Sequence, residues 1–234
     1  MLPDIDMWSD AALILASYLL GAAPHLVLLA RLRHVKLNGD FHQDLWNRAG
    51  KTLGIMGVLG EFAKGVIPVL AARWLGFGPV TAALAGLAVV IGQMWPVFNR
   101  FDGEKGNSVA IAMVAVLAPR PALIAIIILI VALIIRIIPR LTAKPAAGSR
   151  TIIGGAYSRT FPLGMALCFL SLPVSSWYFH QPPEIVWSMA ALFVLIMVRR
   201  LTAGLRDDLK TGQDIKSILI KRLLYDRATA TWRQ

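Results

Sequence analysis

Between residues 11 and 200 the chain returns repeatedly to apolar runs that carry almost no charge. Most are close to the roughly 20 residues a helix needs to cross the hydrocarbon core of a bilayer. A helix suits that core because it satisfies all its backbone groups within itself. The runs fall near 11–32, 52–73, 79–98, 107–118, 122–139, 152–173 and 184–200. They predict an all-α integral membrane protein, a seven-transmembrane helical bundle over residues 1–200. A basic amphipathic cytoplasmic tail follows over 201–234. The fourth run is short and stops at Pro119-Arg120-Pro121, which suits a tilted or partly broken helix. The opening MLPDIDMWSD has no basic segment ahead of the first run, so that run reads as a retained helix rather than a cleaved signal.

The formal net charge of +11 would point to nucleic acid in a soluble protein. Here the basic residues gather at the ends of apolar runs, where they meet anionic lipid headgroups, and no basic–aromatic nucleic-acid motif is present. Twenty of the 24 Lys and Arg fall on one set of loops and the tail; only Arg73 and Arg120 fall on the other. That asymmetry predicts an exterior N-terminus and a cytoplasmic C-terminus, which requires an odd number of spans. The tail over 211–232 spaces Ile215, Ile218, Leu219, Leu223 and Leu224 between basic residues, the pattern of a helix lying in the membrane interface. A contact with a partner protein is the other reading. A single cysteine, Cys168, excludes an internal disulfide, and the scattered histidines give no metal-site spacing.

A few polar residues do not belong in lipid. Glu61 and Lys64 fall near the middle of the second run, three residues apart and so on one helical face. Gly54, Gly57 and Pro68 extend that face. The pair either marks a site or neutralises itself and fixes packing. Arg159, in the sixth run, either snorkels to headgroups or pairs with Glu61. The loop from Arg100 to Ser108 places Lys105 between Gly103 and Gly106, just before the fourth helix, with Asn107 or Ser108 as its N-cap. Free N–H groups at a helix start, with a lysine beside them, suit phosphate, although Asp102 and Glu104 oppose a simple anion hole. In the first polar loop His42 and Asp44 offer a base and an orienting acid, with Arg48 as a further cation. A merely solvated loop is the plainer alternative.

These residues carry a resemblance. Ser17-Tyr-Leu-Leu-Gly21 with Pro24, Glu61-x-x-Lys64-Gly65 with Pro68, and Gly92-x-x-x-Pro96-x-Phe98-x-x-Phe101-x-Gly103-x-Lys105-Gly106 recur in order. They resemble the bacterial acyl-phosphate:glycerol-3-phosphate acyltransferases of the PlsY type over residues 11–200. The sequence departs from that pattern in four places. The stretch over 37–44 lacks the family's serine, thought to be catalytic. Gln93 stands at the motif histidine. Asp102 and Glu104 stand at a lysine and a glycine. The late His-Arg-x-Asn-Ile motif has no counterpart near 199–205.

The resemblance implies a multi-pass enzyme of the inner (plasma) membrane with its site facing the cytoplasm. It would transfer a fatty acyl group from acyl phosphate to the sn-1 hydroxyl of glycerol 3-phosphate, releasing phosphate and lysophosphatidic acid. Its partners would be those two substrates and membrane lipid, with no cofactor, metal or nucleic acid. Lys105, Gly103, Gly106, Asn107, Ser108, Lys64 and Arg48 would hold phosphates. His42 or Asp44 would take the hydroxyl proton, supported by Glu61 and Arg159. The alternative is a diverged paralogue that binds lipid or phosphate, or scaffolds lipid synthesis, without that chemistry.

Overall fold

The computed structural model describes residues 7–37, 41–142, 160–210 and 214–225. The described residues are helical, with no strand among them. Six helical segments are long and apolar enough to cross a membrane: Met7–Arg31, Lys51–Trp74, Pro79–Asn99, Pro119–Ile138, Phe161–Tyr178 and Pro183–Thr202. The fourth expected span is a shorter apolar helix, Asn107–Leu117. Its 11 residues rise only about 16 Å, roughly half of a hydrocarbon core. The chain divides into two compact units, one of the described residues up to Pro119 with Pro182–Ser188, the other of the remainder.

In the first unit α1 (Met7–Ala22) and α2 (His25–Arg31) replace the single run expected over 11–32. The break falls at Ala23-Pro24, because proline has no N–H to continue the ladder. A short helix α3 (Phe41–Asp44) runs on as a wide turn over Leu45–Ala49 and stops at Gly50, whose φ of 107° suits glycine. Then come α4 (Lys51–Trp74), α5 (Pro79–Met94) and α6 (Asn107–Leu117). Alanine and glycine line much of the buried surface of α5, so its neighbours approach closely. A Cβ on Gly21 of α1 would overlap the Val89 carbonyl, and one on Gly92 of α5 would overlap that of Tyr18. Gly65 brings α4 equally close to the Val109 carbonyl of α6. Packing without a hydrophobic drive depends on such contacts.

In the second unit α7 (Pro119–Thr142) starts on proline, a favoured first helical residue, and presents isoleucines outward. α8 (Thr160–Tyr178) covers the described part of the expected 152–173 span and continues past it to Tyr178; the residues of that span before Thr160 lie outside the described ones. α9 (Pro183–Thr202), which belongs to this unit from Met189 onward, matches the last run. The tail forms α10 (Leu205–Leu209) and α11 (Ile215–Tyr225). Ile218 and Arg222 of α11, one turn apart, are buried, while Ile215, Ile220 and Leu223 are exposed. Arg222 Nε donates to Asp208 Oδ2 at 2.7 Å, and Arg200 donates to the carbonyls of Arg222 and Leu224 at 3.2 Å each. A guanidinium thus serves the free carbonyls near the end of α11.

Candidate functional site

The polar face of α4 turns into the first unit. Gly54, Gly57, Glu61, Lys64 and Pro68 are all buried, with Glu61 3% and Lys64 5% exposed. Lys64 lies beside the break between α1 and α2. Its Nζ donates to the carbonyls of Gly21 (3.0 Å) and Ala23 (2.6 Å) and to Gln93 Oε1 (3.0 Å). An ammonium has three protons, and these three acceptors match them. The break leaves carbonyls without helical partners, which is costly at membrane depth, and Lys64 supplies them. Lys64, expected to hold a substrate phosphate, here has its donors directed into the protein.

Gln93, on α5, joins the two ionisable groups of α4. Its Nε2 donates to Glu61 Oε1 at 3.2 Å while its Oε1 accepts from Lys64. The chemistry fixes the amide orientation, since an ammonium only donates and a carboxylate only accepts. On its other side Glu61 meets three groups. His42 Nε2 lies 3.0 Å from Glu61 Oε1, and the Glu104 carboxyl and the Ser108 side chain are hydrogen-bonded to Glu61. His42 Nε2 is also 3.7 Å from Glu104 Oε2. The buried Nδ1 edge of His42 faces Gly57, where the missing side chain leaves room for the Leu26 and Leu45 side chains. Ligand atoms of His42, Glu61 and Glu104 all lie within 4.8 Å of one another, the one such convergence among the described residues.

Glu104 is placed by its backbone. Its N–H donates to the Gln93 carbonyl at 3.1 Å and that of Gly103 to the Met94 carbonyl at 3.2 Å, so the loop is tied to the end of α5. A Cβ on Gly103 would overlap the Gln93 carbonyl and the Pro96 ring, which is why glycine stands there. Just before it, Arg100 and Phe101 take left-handed φ angles of 51° and 61°, uncommon for residues with side chains. Burial, then the Glu61 carboxylate beside it, pushes the Glu104 pKa up to about 8; His42 and Lys64 pull the other way. Gly106, at φ 71°, is itself the residue before α6, and no side chain caps this helix. The expected capping by Asn107 or Ser108 is therefore not what forms: Asn107 is the first helical residue, and Ser108 turns to Glu61. Half-buried Lys105 sits at this start.

The structure thus gathers His42, Glu61, Gly103, Ser108 and the backbone around Lys105 and Gly106. It corrects the partner of His42. The acid at hydrogen-bond distance is Glu61, and Asp44 instead pairs with Arg48 one turn along at 3.4 Å. Arg48 Nη1 also reaches the Lys36 carbonyl at 3.4 Å. Arg159 lies outside the described residues. Gln93 and Glu104 are the members that sequence reasoning left out. A lone amide in an otherwise apolar helix was a signal for the first. The sequence carried no signal of where the carboxyl of Glu104 would turn.

The family model described as glycerol-3-phosphate acyltransferase matches residues 11–206. "Glycerol-3-phosphate acyltransferase 4" of Dehalococcoides mccartyi (strain CBDB1) is 32% identical over 203 residues, covering 82% of this chain and 78% of that protein. The glycerol-3-phosphate acyltransferase of Pseudomonas paraeruginosa is 32% identical over 202 residues, covering 83% and 93%. Two crystal structures of PlsY (YgiH), an integral membrane glycerol 3-phosphate acyltransferase, share the fold at 23% identity. The lysophosphatidic acid form has a TM-score of 0.66 and covers 92% of this chain and 98% of that one. The glycerol 3-phosphate form has a TM-score of 0.65, covering 88% and 94%.

Proposed function

This chain belongs to the glycerol-3-phosphate acyltransferase family, and from that premise we propose that it moves a fatty acyl group from acyl phosphate to the sn-1 hydroxyl of glycerol 3-phosphate. The products are lysophosphatidic acid and inorganic phosphate. The observation that carries the reading is the His42–Glu61–Glu104 cluster beside the loop that holds Lys105. Acyl transfer to a hydroxyl needs a proton acceptor next to a phosphate site. The cluster supplies the acceptor in a chain that lacks the family's serine and its late histidine. Lys105, the N–H groups of Gly106 and Asn107 at the uncapped start of α6, and Arg48 supply the phosphate contacts. Lys64 and Gln93 hold Glu61 and the α1–α2 break in place.

The reading includes a topology. α6 serves as a short fourth crossing, making seven, with the N-terminus outside, the tail in the cytoplasm and the site on the cytoplasmic side of the inner membrane. The exposed Ile215, Ile220 and Leu223 of α11, with Lys216 and Lys221 between them, lie in the headgroup region.

The test follows phosphate and lysophosphatidic acid released by the purified protein from acyl phosphate and glycerol 3-phosphate. Release that requires both substrates is expected. Lys105→Ala should lower kcat/KM about tenfold or more, the worth of one charge-assisted contact, and Lys105→Arg should recover only part. A second reading, a paralogue that binds without turnover, is favoured by the missing serine and late motif. It predicts glycerol 3-phosphate binding with no phosphate release. An active parent with unchanged Lys105→Ala kinetics would remove Lys105 from the site.

A further inference from the structure

Resting on the acyl-transfer reading, we propose that Glu104 is the catalytic base: it takes the proton of the attacking sn-1 hydroxyl and hands it to the departing phosphate. The geometry separates the three groups of the cluster. Glu61 is almost wholly enclosed, and its carboxylate is occupied by His42, Gln93, Ser108 and the Glu104 carboxyl itself. His42 directs Nε2 at the two carboxylates and buries Nδ1 against Gly57, so neither nitrogen is presented outward. Asp44 faces Arg48. The Glu104 side chain is 28% exposed, against 4% for Glu61 and 31% for His42, and lies on the loop that carries Lys105. Two backbone hydrogen bonds and the tight seat of Gly103 hold that loop to α5, so the carboxyl is pre-positioned rather than free to wander.

The groups facing Glu104 suit the role. Glu61 and Lys64 of α4 and His42 of α3 surround it. With its pKa near 8, set by burial and the Glu61 charge, Glu104 is a far stronger base than an ordinary carboxylate and still partly ionised near neutrality. In the step, the hydroxyl oxygen forms a bond to the acyl carbon while its proton moves to a Glu104 oxygen. The carbon–oxygen bond to phosphate breaks with its electron pair on phosphate. Glu104 returns the proton to that phosphate, leaving an ester, inorganic phosphate and the ionised carboxylate for the next turnover.

The experiment compares the parent with Glu104→Gln and Glu104→Asp in steady-state assays from pH 6 to 9 and in infrared titration of protonated carboxyls. For the parent, kcat should rise with pH as Glu104 ionises. Glu104→Gln should lose about 100-fold or more in kcat, with KM for glycerol 3-phosphate changed less than about threefold, and its pH rise should vanish. Glu104→Asp should recover part of the rate. A carboxyl band that titrates near pH 8 in the parent should be missing from Glu104→Gln. An active parent whose Glu104→Gln variant keeps both kcat and pH profile overturns the inference. So does an infrared band unchanged by that substitution, a readout that needs no turnover. A parent that releases no phosphate at all overturns the acyl-transfer reading itself, before any variant is compared.

Discussion

Replacing Gln93 with methionine keeps the length of the side chain and removes both hydrogen bonds of the bridge, at 3.0 Å to Lys64 and 3.2 Å to Glu61. Hydrogen bonds to charged groups contribute about 1.5–3 kcal/mol each in soluble proteins. Between membrane helices the measured worth is smaller, about 0.6 kcal/mol on average and up to about 1.7, because the unfolded helices in lipid also find partners. The smaller figure governs here, since both ions keep other contacts. Lys64 retains two carbonyls and Glu61 retains His42. Two bonds on that scale give a loss of about 1–3 kcal/mol, or roughly 5- to 150-fold in the unfolding constant. SDS titration of the protein in mixed micelles, followed by circular dichroism, reads this directly. A double-mutant cycle with Lys64→Met isolates the bridge and should show a coupling of at least about 0.5 kcal/mol. A Gln93→Met shift below about 0.3 kcal/mol with no coupling to Lys64→Met would refute the claim that the amide ties α5 to α4.

Two further outcomes are expected. Gly103→Ala places a methyl group against the Gln93 carbonyl, the Pro96 ring and the Met94 carbonyl at 2.9 Å, none of them a flexible side-chain end that can swing away. The loop should therefore shift and activity should fall at least about tenfold while the helices stay folded by circular dichroism. Cysteines introduced at exposed Ser9 and at Ser217 should label from opposite sides of sealed vesicles, with native Cys168 silent because it is buried; labelling of both from one side would sink the seven-crossing topology.

The membrane class, the helical architecture and the family were legible in the residues themselves. Each rests on a property of short, contiguous stretches: the length of apolar runs, or a motif read in order. The burial of Glu61 and Lys64 on one face with Gly54, Gly57 and Pro68 was legible for the same reason, because helical period alone groups them. What each ion touches was not. Lys64 meets groups 43, 41 and 29 residues away, and those meetings depend on how α1 and α5 are set against α4. Close helix approach at Gly21, Gly92 and Gly65 decides that setting. On a loop, neighbours in sequence need not be neighbours in space, so His42 turned to Glu61 while Asp44 kept to Arg48. Glu104 looked like an obstacle to an anion site until two backbone hydrogen bonds to the end of α5 brought its carboxyl against Glu61. Local pattern determines which residues are turned inward; only the packing of helices against one another decides which of them meet.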